Sequence, residues 1–191
     1  NLYDYLAHNP LPQVECPREG YEIFRYLLCQ ATAARRKRLL EAVARWGLAL
    51  YGNWRDSVSY NSSLREGLKG PLPIEEEPSL FAQGGIFINI HSVGHVTGPN
   101  MRFFNVPGMG GFLLSDGQFG DYLRDGQEMV SFHSEKELVE KVAYYLQHPA
   151  EMDEIRHNGH ARVCQDWTYS RWLDEVFAAV KGGSVSSLSG K

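Results

Sequence analysis

The chain has 191 residues, 43% hydrophobic and 22% charged, with 19 Lys and Arg against 23 Asp and Glu for a formal net charge of -4. These proportions belong to a globular chain long enough to bury its own core, and they exclude a disordered or collagen-like one. The acidic balance also argues against a general nucleic-acid binder, which would be basic.

In chain order, residues 1–17 read as a loop punctuated by Pro10, Pro12 and Pro17. A helical region follows over 19–46. Ile23, Leu27 and Leu28 take helical spacing in its first half, and Leu39, Leu40, Val43 and Ala44 in its second. One long helix and two helices bent near 31–34 fit equally well. Gly47 stands where a C-terminal cap belongs. Leu48-Ala49-Leu50-Tyr51 reads as a short buried strand, and the loop around Asn53-Trp54-Arg55-Asp56 leads to a polar segment and Gly70-Pro71. A short helix is predicted over 76–83. Ile86-Phe87-Ile88-Asn89-Ile90 is the clearest strand, continuous and apolar as if covered on both faces.

A helix is predicted over 100–106, then strands at Phe112-Leu113-Leu114 and Met129-Val130-Ser131-Phe132. Ser134 and Glu137 form a capping box for a helix whose buried stripe is Leu138, Val142, Tyr145 and Leu146. Pro149 can open the next helix, lined by Met152, Ile155 and Val163. Thr168 can cap the last, with an apolar stripe of Trp172, Leu173, Val176, Phe177 and Val180; residues after Lys181 read as a flexible tail. Cys16, Cys29 and Cys164 form no CxxC pair, which suggests reduced thiols in a cytoplasmic protein. No apolar run reaches the ~18 residues that span a bilayer. A start at Asn1 without Met suggests a piece of a longer protein.

Short apolar strands alternating with helices imply an α/β fold, a parallel sheet flanked by helices. Such folds bind ligands beyond the carboxyl ends of their strands, here the loops after Ile90 and Leu114. The first of these, His91-Ser92-Val93-Gly94-His95-Val96-Thr97-Gly98-Pro99-Asn100, opens a helix. Helix N-terminal N–H groups suit a phosphate, and Arg102 one turn in could add a bidentate contact. An ordinary connecting loop with a surface Arg is the alternative, since no GxGxxG or P-loop is present. The basic run Arg35-Arg36-Lys37-Arg38 reads as a solvated helix face, or else as a phosphate-facing patch. His91 and His95, or His157 and His160, lack a third ligand at convincing spacing, so no metal site is expected. Trp46, Trp54, Trp167 and Trp172 read as packing residues, with Trp54 the best placed for a cleft.

The segment Asn100-Met101-Arg102-Phe103-Phe104-Asn105-Val106-Pro107-Gly108-Met109-Gly110-Gly111-Phe112-Leu113-Leu114-Ser115-Asp116 resembles the nucleotide-sugar-binding segment of a bacterial glycosyltransferase group. These are the CgeB-like, spore-maturation-type members of the glycosyl transferases group 1 superfamily, with an N-x-R-x-F-D-V-P-A-x-G-G-F-L-L-T-D pattern there. The flanks are similar as well: Leu48 to Trp54 to G-L-x-x-Y-G-x-x-W, the strand at Ile86 to I-x-L-N-I, and Glu128 to Pro149 to E-x-V-x-F with E-L-x-x-x-x-x-Y-Y-L-x-H-P. The resemblance covers about 33–177.

It implies one half of a GT-B-type architecture, a Rossmann-like domain that holds a nucleoside diphosphate sugar. A missing N-terminal acceptor domain would be its partner. On that basis residues 1–32 would be a lead-in or crossover, 33–181 the donor-binding domain and 182–191 the tail. The donor would contact His91, Ser92, Thr97, Gly98, Asn100, Arg102 and Asn105, with no cofactor besides the substrate itself. Asn105 stands where the family carries an acidic residue, and Met101 where a polar one is common. The neutral amide is a weaker acceptor than a carboxylate. A non-catalytic nucleotide-binding or scaffold module is therefore the competing reading.

Overall fold

The computed structural model describes residues 17–54, 62–95, 98–117 and 119–181. The loop expected before Pro17, Thr97, Arg55 and Asp56 of the expected loop, and the tail after Lys181 lie outside the described residues. The chain divides into two units, Asn1–Leu72 with Ile90–Gly98, and Pro73–Asn89 with Pro99–Lys191.

In the first unit, Pro17–Val43 forms a single helix, α1, not two. A 3-10 turn, Ala44–Trp46, follows, and Gly47 closes it in the left-handed conformation with φ 80°. Leu39, Leu40 and Val43 are buried as expected, but Ile23 and Leu27 are exposed, with Tyr21 and Tyr26 beside them. Among the described residues, helical spacing there does not mark a covered face. The expected strand at Leu48–Tyr51 shortens to β1, Leu50–Tyr51, which pairs in parallel with β2, Leu68–Gly70. The sequence Leu-Lys-Gly carries too little pattern to read as a strand, so β2 was not expected.

The second unit begins with a 3-10 turn at Ile74–Glu76 and α2, Glu77–Ala82. Then come β3 (Ile86–Asn89), α3 (Met101–Gly108), β4 (Phe112–Asp116) and β5 (Val130–Phe132). Three helices finish it: α4 (Glu135–Tyr145), α5 (Pro149–Asp166) and α6 (Tyr169–Lys181). The strands form one parallel sheet in the order β3-β4-β5. Every residue of β4 is buried. By contrast β3, expected to be covered on both faces, is half-buried over Ile86–Ile88, and among the described residues β4 is the strand that pairs with it.

Alternation along β4 divides the core. Leu113 joins Phe81, Phe103, Val106, Leu123, Met129 and Val163 in one cluster, on the side of α3 and α5. Phe112 faces the other way, with its ring centroid 4.8 Å from that of Tyr145 on α4. Helices therefore cover both faces, the Rossmann-like α/β organisation that the segment pattern implies.

The helix ends follow local chemistry. Ser134 Oγ accepts the Glu137 N–H at 3.1 Å, and the Glu137 carboxylate accepts from His133 N–H at 2.9 Å. Thr168 Oγ1 accepts the Arg171 N–H at 3.3 Å. Between α3 and β4 the chain turns on Gly110, φ 80°. Gly111 N–H donates to Val106 O at 2.8 Å, and a Cβ on Gly111 would lie 2.9 Å from Val106 Cγ1. The Gly-Gly pair lets β4 start directly beneath the helix.

Two expected apolar stripes are corrected. Leu146 lies past the end of α4 and is exposed. On α6, Trp172 is 55% exposed and Phe177 56%, with Leu173 and Val180 exposed as well. Periodicity identifies the apolar side of α6, but nothing among the described residues buries it.

Candidate functional site

The carboxyl ends of β3 and β4 meet in register, with Asn89 opposite Ser115. Both are polar and almost fully buried, at 3% and 0% exposure. A buried polar group needs partners, and these have them. Asn89 Nδ2 donates to Ser115 Oγ at 3.1 Å and to Asn100 Oδ1 at 3.2 Å. Asn100 Nδ2 returns a bond to Asn89 Oδ1 at 3.1 Å. Asn100 Oδ1 also accepts the Phe103 N–H at 3.1 Å, the N-cap bond of α3. One pair of carboxamides thus joins β3 to the first turn of α3, and Ser115 joins both to β4.

On α3 the apolar side, Phe103, Val106 and Pro107, is buried. Met101 and Arg102 are exposed and Asn105 is half-buried. Helical spacing puts Arg102 and Asn105, three apart, on the outward arc. The helix therefore presents its first-turn N–H groups, a guanidinium and an amide near the carboxyl ends of two parallel strands. At the end of β4, Asp116 is also buried.

The other expected contact residues lie in the first unit. His91 is buried, Ser92 is half-buried, and the His91 and His95 rings stand 5.2 Å apart between centroids. Gly98 has φ 67°. The segment starting at Ile90 is tied to α1 in two places. The Arg36 guanidinium donates to Ile90 O at 2.8 and 3.0 Å, and Thr32 Oγ1 accepts the Val93 N–H at 3.2 Å. Arg36 is thus neither a solvated face residue nor shown facing a phosphate. Trp54 donates its ring N–H to Tyr51 O at 2.9 Å. Trp167 packs on Phe104 and Tyr122 and donates to Tyr122 O at 3.0 Å, a packing role as expected.

A cavity of about 550 Å³ opens elsewhere, between α5 and the segment leading into β5, lined by Arg124, Gln127, Glu128, Asn158, Arg162 and Gln165. Two of its charged side chains, Glu128 and Arg162, have ionic partners, and Glu151 and Glu154 also line it. Glu128, 3% exposed, accepts from Arg124 Nη2 at 2.5 Å and from Arg124 N–H at 2.8 Å. Burial pushes the Glu128 carboxyl up, and the Arg124 bonds outweigh that, holding it below its ordinary value. Arg162 pairs with Asp166. This cavity adjoins the start of β5, not a strand's carboxyl end. Among the described residues no three His, Cys, Asp or Glu side chains stand together as a metal site. His157 and His160 each place Nδ1 on a carbonyl, of Asp153 and of Pro107. No helix among the described residues is long and apolar enough to cross a membrane.

Asn89 and Ser115 were not among the residues expected from sequence. Their only signal is a polar residue closing an otherwise apolar strand, as in Ile-Phe-Ile-Asn and Phe-Leu-Leu-Ser.

A search of curated proteins finds no match. The family model described as glycosyl transferase-like matches residues 35–178, a span that includes β1 to β5 and the helices α2 to α5. With a Rossmann-like parallel sheet and a family match over most of its length, this chain belongs to the glycosyl transferase-like family.

Proposed function

We propose that this chain is the donor-binding part of a glycosyltransferase of the CgeB-like kind, holding a nucleoside diphosphate sugar at the first turn of α3. The observation that carries this reading is the capped α3 N-terminus with Arg102 exposed on its first turn, at the carboxyl ends of β3 and β4. In sugar transfer the bond from the anomeric carbon to the diphosphate breaks, and the electron pair leaves on phosphate oxygen. Fixed N–H groups and the Arg102 guanidinium would stabilise that growing charge without reorganising. Asn105, further along the outward arc, would meet a ribose or sugar hydroxyl. The roles of His91, Ser92, Thr97 and Gly98 rest on their place in the sequence alone.

The acceptor would be brought by an N-terminal domain of a longer parent, since transfer needs both substrates within about 3–3.5 Å. A second reading, a binding module without catalysis, is favoured by Asn105 in place of the acidic residue. Calorimetric titration with UDP, GDP and their sugar conjugates tests the proposal. Saturable, sugar-dependent binding without transfer to added acceptors is the expected result for this chain. Absence of any nucleotide binding would sink the donor-site reading, and robust transfer by the chain alone would sink the two-domain requirement.

A further inference from the structure

We infer that Asn89 is a positioning residue for the donor site, one that holds the first turn of α3 in its ligand-ready place by fixing the orientation of the Asn100 carboxamide. The inference deepens the donor-site reading and rests on it.

The argument is one of hydrogen-bond inventory. A carboxamide has two N–H donors and one carbonyl acceptor, and the two ends are not interchangeable. Phe103 N–H lies 3.1 Å from the Asn100 side chain and can only donate, so it requires Oδ1 there. That leaves Nδ2 of Asn100 facing Asn89, 3.1 Å from its Oδ1. Asn89 Nδ2 then reaches Asn100 Oδ1 with one N–H, at 3.2 Å, and Ser115 Oγ with the other, at 3.1 Å. Ser115 in turn donates to Asp116 O at 3.2 Å. The carbonyl and both N–H groups of the Asn89 amide are engaged. The same oxygen that caps α3 is the one that Asn89 grips.

An N-cap Asn is ordinarily held by one bond, its Oδ1 accepting a first-turn N–H, with its Nδ2 left to water. Here the reciprocal pair locks it to a strand end that is 97% covered, Asn89 being 3% exposed. Core packing of Phe103, in the first turn of α3, and of Val106 fixes the inward side of the helix, while Met101 and Arg102 point outward. The carboxamide pair adds a polar restraint at the N-cap itself. Its effect on a ligand is indirect, through the N–H groups of the first turn and through Arg102.

Asn89→Asp tests this with almost no change of volume. The carboxylate loses both N–H donors. Ser115 can rotate its hydroxyl to donate, but Asn100 Oδ1 now meets a negatively charged oxygen. A flip of Asn100 brings no relief, because a carboxylate presents oxygen to both ends of the facing amide, so Asn100 Oδ1 must swing away and its cap bond is lost. The Phe103 N–H also reaches Asn100 O at 3.1 Å, so the expected result is a partial loss of protection of the Phe103 amide in hydrogen exchange and a roughly tenfold fall in UDP or GDP affinity, the fold-change of about 1.4 kcal/mol. Should Asn89→Asp fail to fold, Ser115→Thr and Ser115→Val provide the second comparison. The two share shape and the added methyl, so the difference between them reads the hydroxyl that accepts from Asn89. Thr should keep nucleotide affinity and Phe103 protection relative to Val.

An unchanged Phe103 amide in Asn89→Asp, or equal behaviour of the Thr and Val variants, overturns the positioning role whatever the nucleotide data show. Changed Phe103 protection with full nucleotide affinity also overturns it, because the turn would then be ordered for no ligand's sake. If the unaltered chain binds neither UDP nor GDP, the donor-site reading fails, and the positioning role falls with it. Phe103 exchange distinguishes that failure from a failure of the amide lock.

Discussion

Gly159 sits midway along α5 where that helix crosses the chain leading into β5, and adding a single methyl there should be costly. A Cβ built on Gly159 lies 2.2 Å from Glu128 O, 3.2 Å from Glu128 C and 3.4 Å from Pro107 Cβ. Carbon and carbonyl oxygen come no closer than about 3.3 Å in ordinary packing, so the two backbones would have to part by roughly 1 Å. Glu128 cannot give way cheaply. Its side chain is clamped by three bonds from Arg124, and its neighbour Met129 is buried in the core cluster. On the other side, Ile155 and Val163 bury α5 one turn before and one turn after. A gap of 0.5–1 Å forfeits roughly a quarter to a half of the dispersion contact across the interface. Alanine gains up to about 1 kcal/mol over glycine in helix propensity, while overpacking costs about 1–3 kcal/mol and sometimes more. The clash involves backbone and not a flexible side chain, so the upper end applies. Gly159→Ala should therefore be destabilised by about 2 kcal/mol net. In urea, with a slope of about 2 kcal/mol/M, the midpoint falls by roughly 1 M with the slope unchanged. A midpoint equal to or above that of the unaltered chain would mean that α5 does not cross so closely, and would refute the reasoning.

Arg102→Ala should weaken UDP or GDP binding by about 1.5–3 kcal/mol, the range for a charged hydrogen bond, with the melting temperature held because the side chain is exposed; full affinity in the folded variant removes Arg102 from the site. Asn105→Asp should keep or tighten donor binding by restoring a charged acceptor on the half-buried side of α3; a large drop in melting temperature without any gain in binding would show that position 105 serves packing instead. The Glu128 carboxyl lies below its ordinary value when folded, so its contribution is complete above the unfolded value of about 4.3 and is lost as pH falls through the folded value. The melting temperature of the unaltered chain should therefore exceed that of Glu128→Gln at neutral pH and converge toward it below about pH 4; a gap independent of pH would contradict this.

What the sequence discloses about this chain is what depends on near neighbours. The caps at Ser134 and Thr168 need only residues a few positions apart, and each is found where the motif puts it. The stretch from Asn100 to Asp116 is legible as a unit because helix, turn and buried strand follow one another without interruption. What escapes is set by partners remote in the chain. Asn89 meets Asn100 and Ser115 only because register brings two strand ends together. Leu68–Gly70 becomes a strand only because Leu50 lies beside it. The apolar stripe of α6 was readable, but a stripe states which side is apolar and not what covers it, and Trp172 and Phe177 lie open. Arg36 gave the charge of its segment correctly, yet its carbonyl partner lies 54 residues away.

The order of the sheet has a kinetic meaning. Strands β3, β4 and β5 stand side by side in the order in which they occur in the chain, Ile86 pairing with Phe112 and Leu114 with Val130. No strand must wait for a distant segment to be inserted between two earlier ones, so assembly can run forward along the polypeptide with short loop closures at each step. β4 is the hinge of that sequence: it closes the first pairing and templates the second, and every one of its residues is buried. Its amides should be the last in the second unit to exchange with solvent, opening only when the whole unit opens. The strand whose end carries Ser115 and Asp116 would then be the most slowly fluctuating part of the sheet, and the first turn of α3 is tied to that end through Asn89.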